Sequence, residues 1–135
     1  VGSKAIGCPF CEPEAPLART DQVVVIPDAY PVAQGHVLVI PARHVGRVEE
    51  LTIEERAGLL EAAVAWMGDH PAQGWTLGIN DGAAAGQTID HVHLHLIPRH
   101  AGDVPDPRGG VRWVIPARAG CWQGESGVGR GSKVF

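Results

Sequence analysis

His91-Val92-His93-Leu94-His95-Leu96-Ile97-Pro98-Arg99 sets three histidines against apolar neighbours at a period of two. Successive side chains of a β-strand point to opposite faces, so His91, His93 and His95 are expected on one face and Val92, Leu94 and Leu96 on the other. One face is then core and the other chemistry. A strand would hold the three imidazoles at a pitch of about 6.5 to 7 Å, on a backbone too rigid to let them drift. One histidine in such a place reads as a polar residue on a half-buried strand. Three at period two do not, because histidine gives up the β-propensity that Thr or Val would supply, while its near-neutral pKa suits nucleophilic and proton-transfer work. A single metal ion shared by all three is excluded by reach, since the outer pair would lie about 13 Å apart against Zn–N distances of about 2.0 to 2.1 Å.

The flanking sequence supplies the rest of a sheet. Val23-Val24-Val25-Ile26 is β-branched and ends at Pro27, and Val37-Leu38-Val39-Ile40 lies between Gly35 and Pro41, short and apolar enough for a buried strand. His36 stands at its entrance. Thr52-Ile53-Glu54-Glu55 is a capping box, which predicts a helix to follow, and Ile53, Ala57, Leu60, Val64 and Met67 fall at helical spacing and are expected to face the core. Gly68 to Pro71 ends the helix. Trp75 to Ile79 alternates as a third strand and delivers Asn80 at its end, after which Ala83-Ala84-Ala85-Gly86 leads through Gln87 and Thr88 to the histidines. Val111 to Ile115 reads as one further short strand.

Composition bounds the function. At 135 residues, with 44% hydrophobic and 19% charged, the chain suits one soluble domain, expected over residues 1–123, with a flexible glycine-rich tail at 124–135. Eleven basic against fifteen acidic residues leave a net charge of −4 and no basic field for polymeric nucleic acid, although a mononucleotide needs only local donors. No apolar run approaches a membrane span of about 18 to 20 residues and no signal-peptide pattern opens the chain, so a cytoplasmic setting is expected, without membrane partners. Cys8, Cys11 and Cys121 are too few and odd in number for a disulfide framework. The two-residue spacing of Cys8-Pro9-Phe10-Cys11 can grip zinc or form a redox dithiol. The latter normally opens the helix of a βαβ unit, and none is visible.

His-Val-His-Leu-His-Leu-Ile-Pro-Arg resembles the signature of the histidine triad family of nucleotide hydrolases and transferases. Asp28, Tyr30-Pro31, Gly35-His36-Val37-Leu38-Val39-Ile40-Pro41, Asn80-Asp81-Gly82 and Gly86-Gln87-Thr88 follow that family's order and spacing, so the resemblance covers roughly residues 8 to 100. It implies an α+β fold, with an antiparallel sheet of about five strands and one main helix, commonly paired as a homodimer. Four strands and one capped helix read from the sequence are compatible with it.

The resemblance also implies roles. His93 would attack the α-phosphorus and carry the nucleotidyl group, with its second ring N–H held by a backbone carbonyl. His95 would donate to phosphate oxygens and His36 would complete the catalytic cluster. Gln87 and Thr88 match positions that contact phosphate or bridging atoms, and backbone N–H groups of the small loop could stabilise charge. Asp28 matches the ribose position, Asn80 a further polar position. Asp28 and Asn80 also suit turns for backbone reasons alone. Some bacterial-type members carry a cysteine pair completed by the histidine after the Pro-x-x turn and by the first triad histidine, here His44 and His91. That implies a closed, structural Zn²⁺ site of Cys8, Cys11, His44 and His91. The rival is a free thiol pair with an exposed His44.

His95 and Val92 stand where the uridylyltransferase branch has Gln and Pro, which favours hydrolysis over transfer. The activity implied is cleavage of dinucleoside polyphosphates or nucleoside phosphoramidates, adenine being the common base, with release of a nucleoside monophosphate such as AMP. A nucleotidyltransferase or phosphorylase using another acceptor, and a non-catalytic nucleotide-binding module, remain alternatives. Arg99 and His100 either line the rim or are solvated, and Trp113 and Trp122 either stack on a base or pack in a core or interface.

Overall fold

The computed structural model describes residues 4–120, so Cys121, Trp122 and the stretch 124–135 expected as a tail lie outside the described residues. The described residues fall into two compact units, divided between His100 and Ala101.

In the first unit Ala18–Arg19 (β1), Val23–Pro27 (β2), Val37–Pro41 (β3), Gly74–Ile79 (β4) and Leu94–Arg99 (β5) make one sheet. Their order is β1-β2-β3-β5-β4 and every pairing is antiparallel. The expected α+β architecture of about five strands and one main helix is thus the one observed. Val23 to Ile26 and Val37 to Pro41 are buried on both faces, which explains apolar runs without alternation. Val23, Val25, Val37, Val39, Leu94 and Leu96 face the main core. Val24, Ile26, Leu38 and Ile40 form a second cluster against Phe10 and Ala42. Leu38 lies directly opposite His95, so the histidine side chain emerges on the face of this second cluster.

The helix Ile53–Asp69 (α1) begins as the capping box requires: Thr52 accepts from the Glu55 N–H and Glu55 reaches back to the Thr52 N–H at 2.8 Å. Its buried face differs from the expected one. Leu59 and Ala63 are buried, with Ala62 and Trp66 packed beside them, whereas Ile53, Leu60 and Val64 are 75%, 57% and 59% exposed. The helix carries apolar residues on two faces, and Glu55 selects between them. This carboxylate is drawn inward by Arg43, whose Nε and Nη2 donate to its two oxygens at 3.0 and 2.8 Å.

Those bonds hold the Glu55 carboxyl below its ordinary value of 4.5, against the opposing effect of burial. A folded-state pKa below the unfolded one gives stability that is complete above about pH 4.5 and lost as pH falls through the folded value. Glu55→Gln is expected to cost about 2 to 3 kcal/mol at pH 7, less than a fully enclosed pair because Arg43 stays partly exposed. Denaturant titrations of both proteins should show the gap narrowing as pH falls below about 4.5. A gap independent of pH would count against the ion pair.

The second unit corrects another expectation. Val111 to Ile115 is not a strand: Gly110–Val114 is a 3₁₀ turn that runs into the short helix Pro116–Ala119 (α2). Gly109 and Gly110 take positive φ, which turns the chain out of extended geometry, and Arg112 donates to the carbonyls of Arg118 and Ala119. Trp113 Nε1 donates to the Arg108 carbonyl within the same unit.

Candidate active site and metal centre

β5 begins at Leu94, so of the three histidines only His95 lies within a regular strand. The segment before it is pinned separately, with the His91 N–H donating to the Ile89 carbonyl at 2.8 Å and the Val92 N–H to Val45 at 2.7 Å. As a result the rings are not evenly pitched. His93 and His95 have ring centroids 5.2 Å apart, closer than a regular strand provides, while His91 turns towards the cysteines.

His93 Nδ1 lies 2.8 Å from the His91 carbonyl. A carbonyl can only accept, so Nδ1 carries the proton and Nε2 keeps a free lone pair. That is the arrangement a nitrogen nucleophile needs, and it matches the carbonyl partner expected from the sequence. Phe10, carried between the two cysteines, stands edge-on to the His93 ring with centroids 5.1 Å apart. Its place between ring and sheet was not read from the sequence; the only signal was an aromatic residue inside the cysteine pair.

His36 and His95 meet across the β3–β5 pairing, with Nε2 and Nδ1 2.9 Å apart. Asp28 Oδ2 lies 3.3 Å from the first and 3.6 Å from the second, while its Oδ1 accepts the Tyr30 N–H at 2.8 Å. Burial holds both imidazoles below the ordinary histidine pKa. For His95 the neighbouring His93 and His36 add to the effect, and Asp28 opposes it in both cases.

Gln87 is engaged within its loop. Its Oε1 accepts the Gly82 N–H at 2.7 Å and its Nε2 donates to the carbonyls of Gly46 and Ile89. Gly82 and Gly86 have positive φ on either side of Ala83–Ala85, so the loop needs glycine at both ends. The N–H groups of Ala85, Gly86 and Gln87 are already bonded inside it. Asn80 is half-buried at the exit of β4 and Thr88 is exposed. Among the described residues neither is hydrogen-bonded to the histidine cluster.

Among the described residues two groups of side chains have the composition of a metal site: Cys8, Cys11, His44 and His91, and Asp28, His36 and His95. Tautomers separate them. His91 Nε2 is 2.9 Å from the Pro41 carbonyl and so carries the proton, leaving the Nδ1 lone pair aimed at Cys8 and Cys11, at 3.5 and 3.7 Å. Cys11 Sγ is 3.2 Å from His44 Nδ1. Around a tetrahedral zinc, S and N ligands stand about 3.6 Å apart for Zn–S of about 2.3 Å and Zn–N of about 2.0 to 2.1 Å, so this cluster fits. Burial lowers the His91 pKa, with His44 and His93 adding to the effect, which favours the neutral imidazole a metal requires. In the second group His36 Nδ1 accepts the Val32 N–H at 3.1 Å, so in the neutral ring Nε2 is protonated and has no lone pair for an ion.

A family model described as the HIT domain matches residues 12–102. A bis(5'-adenosyl)-triphosphatase of Dictyostelium discoideum is 48% identical over 73 residues, 51% of this chain and 49% of that protein. An adenosine 5'-monophosphoramidase of Schizosaccharomyces pombe is 32% identical over 100 residues, 70% of this chain and 75% of that protein. A Zn-bound histidine triad family protein from Mycobacterium smegmatis shares the fold with a TM-score of 0.64 at 32% identity, covering 83% of this chain and 93% of that one. The chain spans about half the length, or less, of several relatives that it matches. With the family model covering the helix, the whole histidine run and all but the cysteine pair of the site, the chain belongs to the histidine triad (HIT) family.

Proposed function

We propose that the chain is a nucleotide hydrolase that cleaves at the α-phosphorus of dinucleoside polyphosphates or nucleoside phosphoramidates and releases a nucleoside monophosphate, with AMP the expected product. The observation that carries this reading is the His93–carbonyl bond, which leaves Nε2 unprotonated beside a second imidazole. In the first step His93 Nε2 bonds to phosphorus and the leaving group departs with the electron pair of its own bond, taking a proton from solvent. In the second, water attacks phosphorus, the P–N bond breaks and His93 is restored. Relatives named as a triphosphatase and a phosphoramidase of adenosine nucleotides support both the chemistry and the base.

His95 donates to the phosphate oxygens. Gln87 serves the phosphate indirectly by holding the small-residue loop, while Asn80 and Thr88 offer polar groups at its edges. Ribose hydroxyls would reach the lone pairs that Asp28 retains beside its Tyr30 bond. Rapid quench with radiolabelled diadenosine polyphosphate or adenosine phosphoramidate should trap an acid-labile, alkali-stable nucleotidyl adduct on His93. Turnover without any such adduct would remove the covalent step. Inorganic phosphate in place of water would yield a nucleoside diphosphate from the same intermediate, and product analysis with phosphate present separates phosphorylase from hydrolase.

We infer further that Cys8, Cys11, His44 and His91 hold a structural zinc, as in the bacterial-type members of the family. The tautomer of His91 and the zinc-bound relative support this. Zinc would cross-link the N-terminal segment to the sheet and leave no open coordination position. A reducing, cytoplasmic setting would keep both thiols available for it.

A homodimer is the proposed assembly. Ile53, Leu60 and Val64 give α1 an exposed apolar face, and β4 is an edge strand. Leu60→Asp combined with Val64→Asp is expected to convert a dimer to a folded monomer in sedimentation equilibrium, checked by unchanged circular dichroism. A wild-type chain that sediments as a monomer at micromolar concentration would overturn the proposal. Among the described residues no helix is long and apolar enough to cross a membrane.

A further inference from the structure

A backbone group decides where the proton of His95 can lie. The Val32 amide, in the loop between β2 and β3, donates to His36 Nδ1 at 3.1 Å, and an amide N–H cannot accept. Neutral His36 therefore carries its proton on Nε2. That nitrogen is 2.9 Å from His95 Nδ1, within hydrogen-bond range, while Asp28 Oδ2 lies outside the usual 2.7 to 3.2 Å range from both rings. Only one proton fits between the two nitrogens, and His36 already supplies it. His95 Nδ1 must accept, so the remaining proton of His95 is on Nε2.

Building on the nucleotidyl-histidine reading above, we propose that His36 is a positioning residue that locks His95 as its neutral Nε2–H tautomer, so that His95 serves phosphate as an uncharged hydrogen-bond donor and not as an acid. The proton balance agrees. A neutral imidazole that gave up its only N–H proton would become an imidazolate, so the leaving group takes its proton from solvent. The alternative, a doubly protonated His95, would set its Nδ1–H head-on against the His36 Nε2–H. A doubly protonated His36 would set its Nδ1–H against the Val32 N–H. The titratable groups facing His95 are His36, Asp28 and His93, and burial holds both His36 and His95 on the neutral side. Hydrogen-bond donors aimed at a transition-state oxygen need no proton transfer to accelerate a reaction.

The experiment compares His36→Gln with His36→Leu in the full, metal-loaded chain. The Gln amide nitrogen falls near the place of Nε2 and can donate to His95 Nδ1, but it cannot titrate. Side-chain ¹⁵N NMR of the ligand-free protein reads the tautomer of His95 directly. In the wild type and in His36→Gln, His95 should remain the Nε2–H tautomer between about pH 6 and 8. In His36→Leu it should exchange between tautomers. Steady-state kinetics should show His36→Gln within about tenfold of wild-type kcat, and His36→Leu lower by about 100-fold with little change in KM. A wild-type His95 protonated on Nδ1, or a Gln variant as impaired as the Leu variant, overturns the proposal. If the Leu variant does not fold, the wild-type tautomer alone decides. Because the NMR measurement uses no substrate, a failed search for the covalent adduct leaves this result standing and identifies a separate failure.

Discussion

His93→Ala is expected to lower kcat by about 10⁴-fold or more, the largest single effect on activity in the chain. The reason is positional as well as chemical. Nε2 is the one ring nitrogen of the run whose lone pair is left free by a hydrogen bond on the opposite nitrogen while lying next to His95, the proposed phosphate donor. His91 has its Nδ1 lone pair directed at sulfur, and His95 faces His36. Neither can replace the nucleophile without moving the backbone. The fold should survive, since truncating one buried ring leaves a cavity worth about 2 to 4 kcal/mol beside Phe10. Steady-state rates on a diadenosine polyphosphate, with intact-protein mass spectrometry after acid quench, measure both parts. A loss smaller than about tenfold would mean that the phosphorus is attacked directly by water.

Removing the metal is expected to act first on stability. Chelation, or Cys11→Ser, should lower Tm by roughly 10 to 20 °C, equivalent to about 3 to 5 kcal/mol. This is less than a zinc-finger peptide loses, because the sheet and α1 have a core of their own. Burial already raises the Cys8 pKa, and the neighbouring Cys11 thiol adds to it, so without a metal the Cys8 thiol would sit protonated at neutral pH beside His91. Catalysis should fall with stability, through His91: its carbonyl holds His93, and its ring, bonded to the Pro41 carbonyl, would be fixed on its other side by the proposed zinc. Elemental analysis should give one zinc per chain, and calorimetry with and without chelator gives the shift. A chain purified without metal whose Tm is unaffected by added zinc would refute the site.

Much of the architecture was legible in local sequence. Thr52 and Glu55 marked the helix start, and the apolar runs at Val23 and Val37 marked strands buried on both faces. What was not legible shares a cause: the deciding partner lay far away or had no side-chain identity. The inward face of α1 depended on Arg43, twelve residues before Glu55, taking that carboxylate inside. β1 is two exposed residues whose only distinction is pairing with β2. Val111 to Ile115 had strand composition, but the glycines before it and the Arg112 bonds after it curled the segment. At the site, the spacing of the histidines implied an even pitch for all three, whereas His93 and His95 lie together and His91 turns towards the cysteines, a division that only the family resemblance implied. The Val32 N–H and the Pro41 and His91 carbonyls, which set every tautomer there, could not be read from residue types.

The bond between His36 and His95 joins residues 59 positions apart. The β1–β2–β3 meander and α1 can form from nearer neighbours, the first by its own strand pairings and the second by local capping. Closing so long a loop is entropically slow, and β5 must arrive before β3 gains its second neighbour. A refolding chain can therefore recover its helical signal while still unable to turn over substrate. The return of activity, timed against circular dichroism, becomes a clock for this long-range closure in folding.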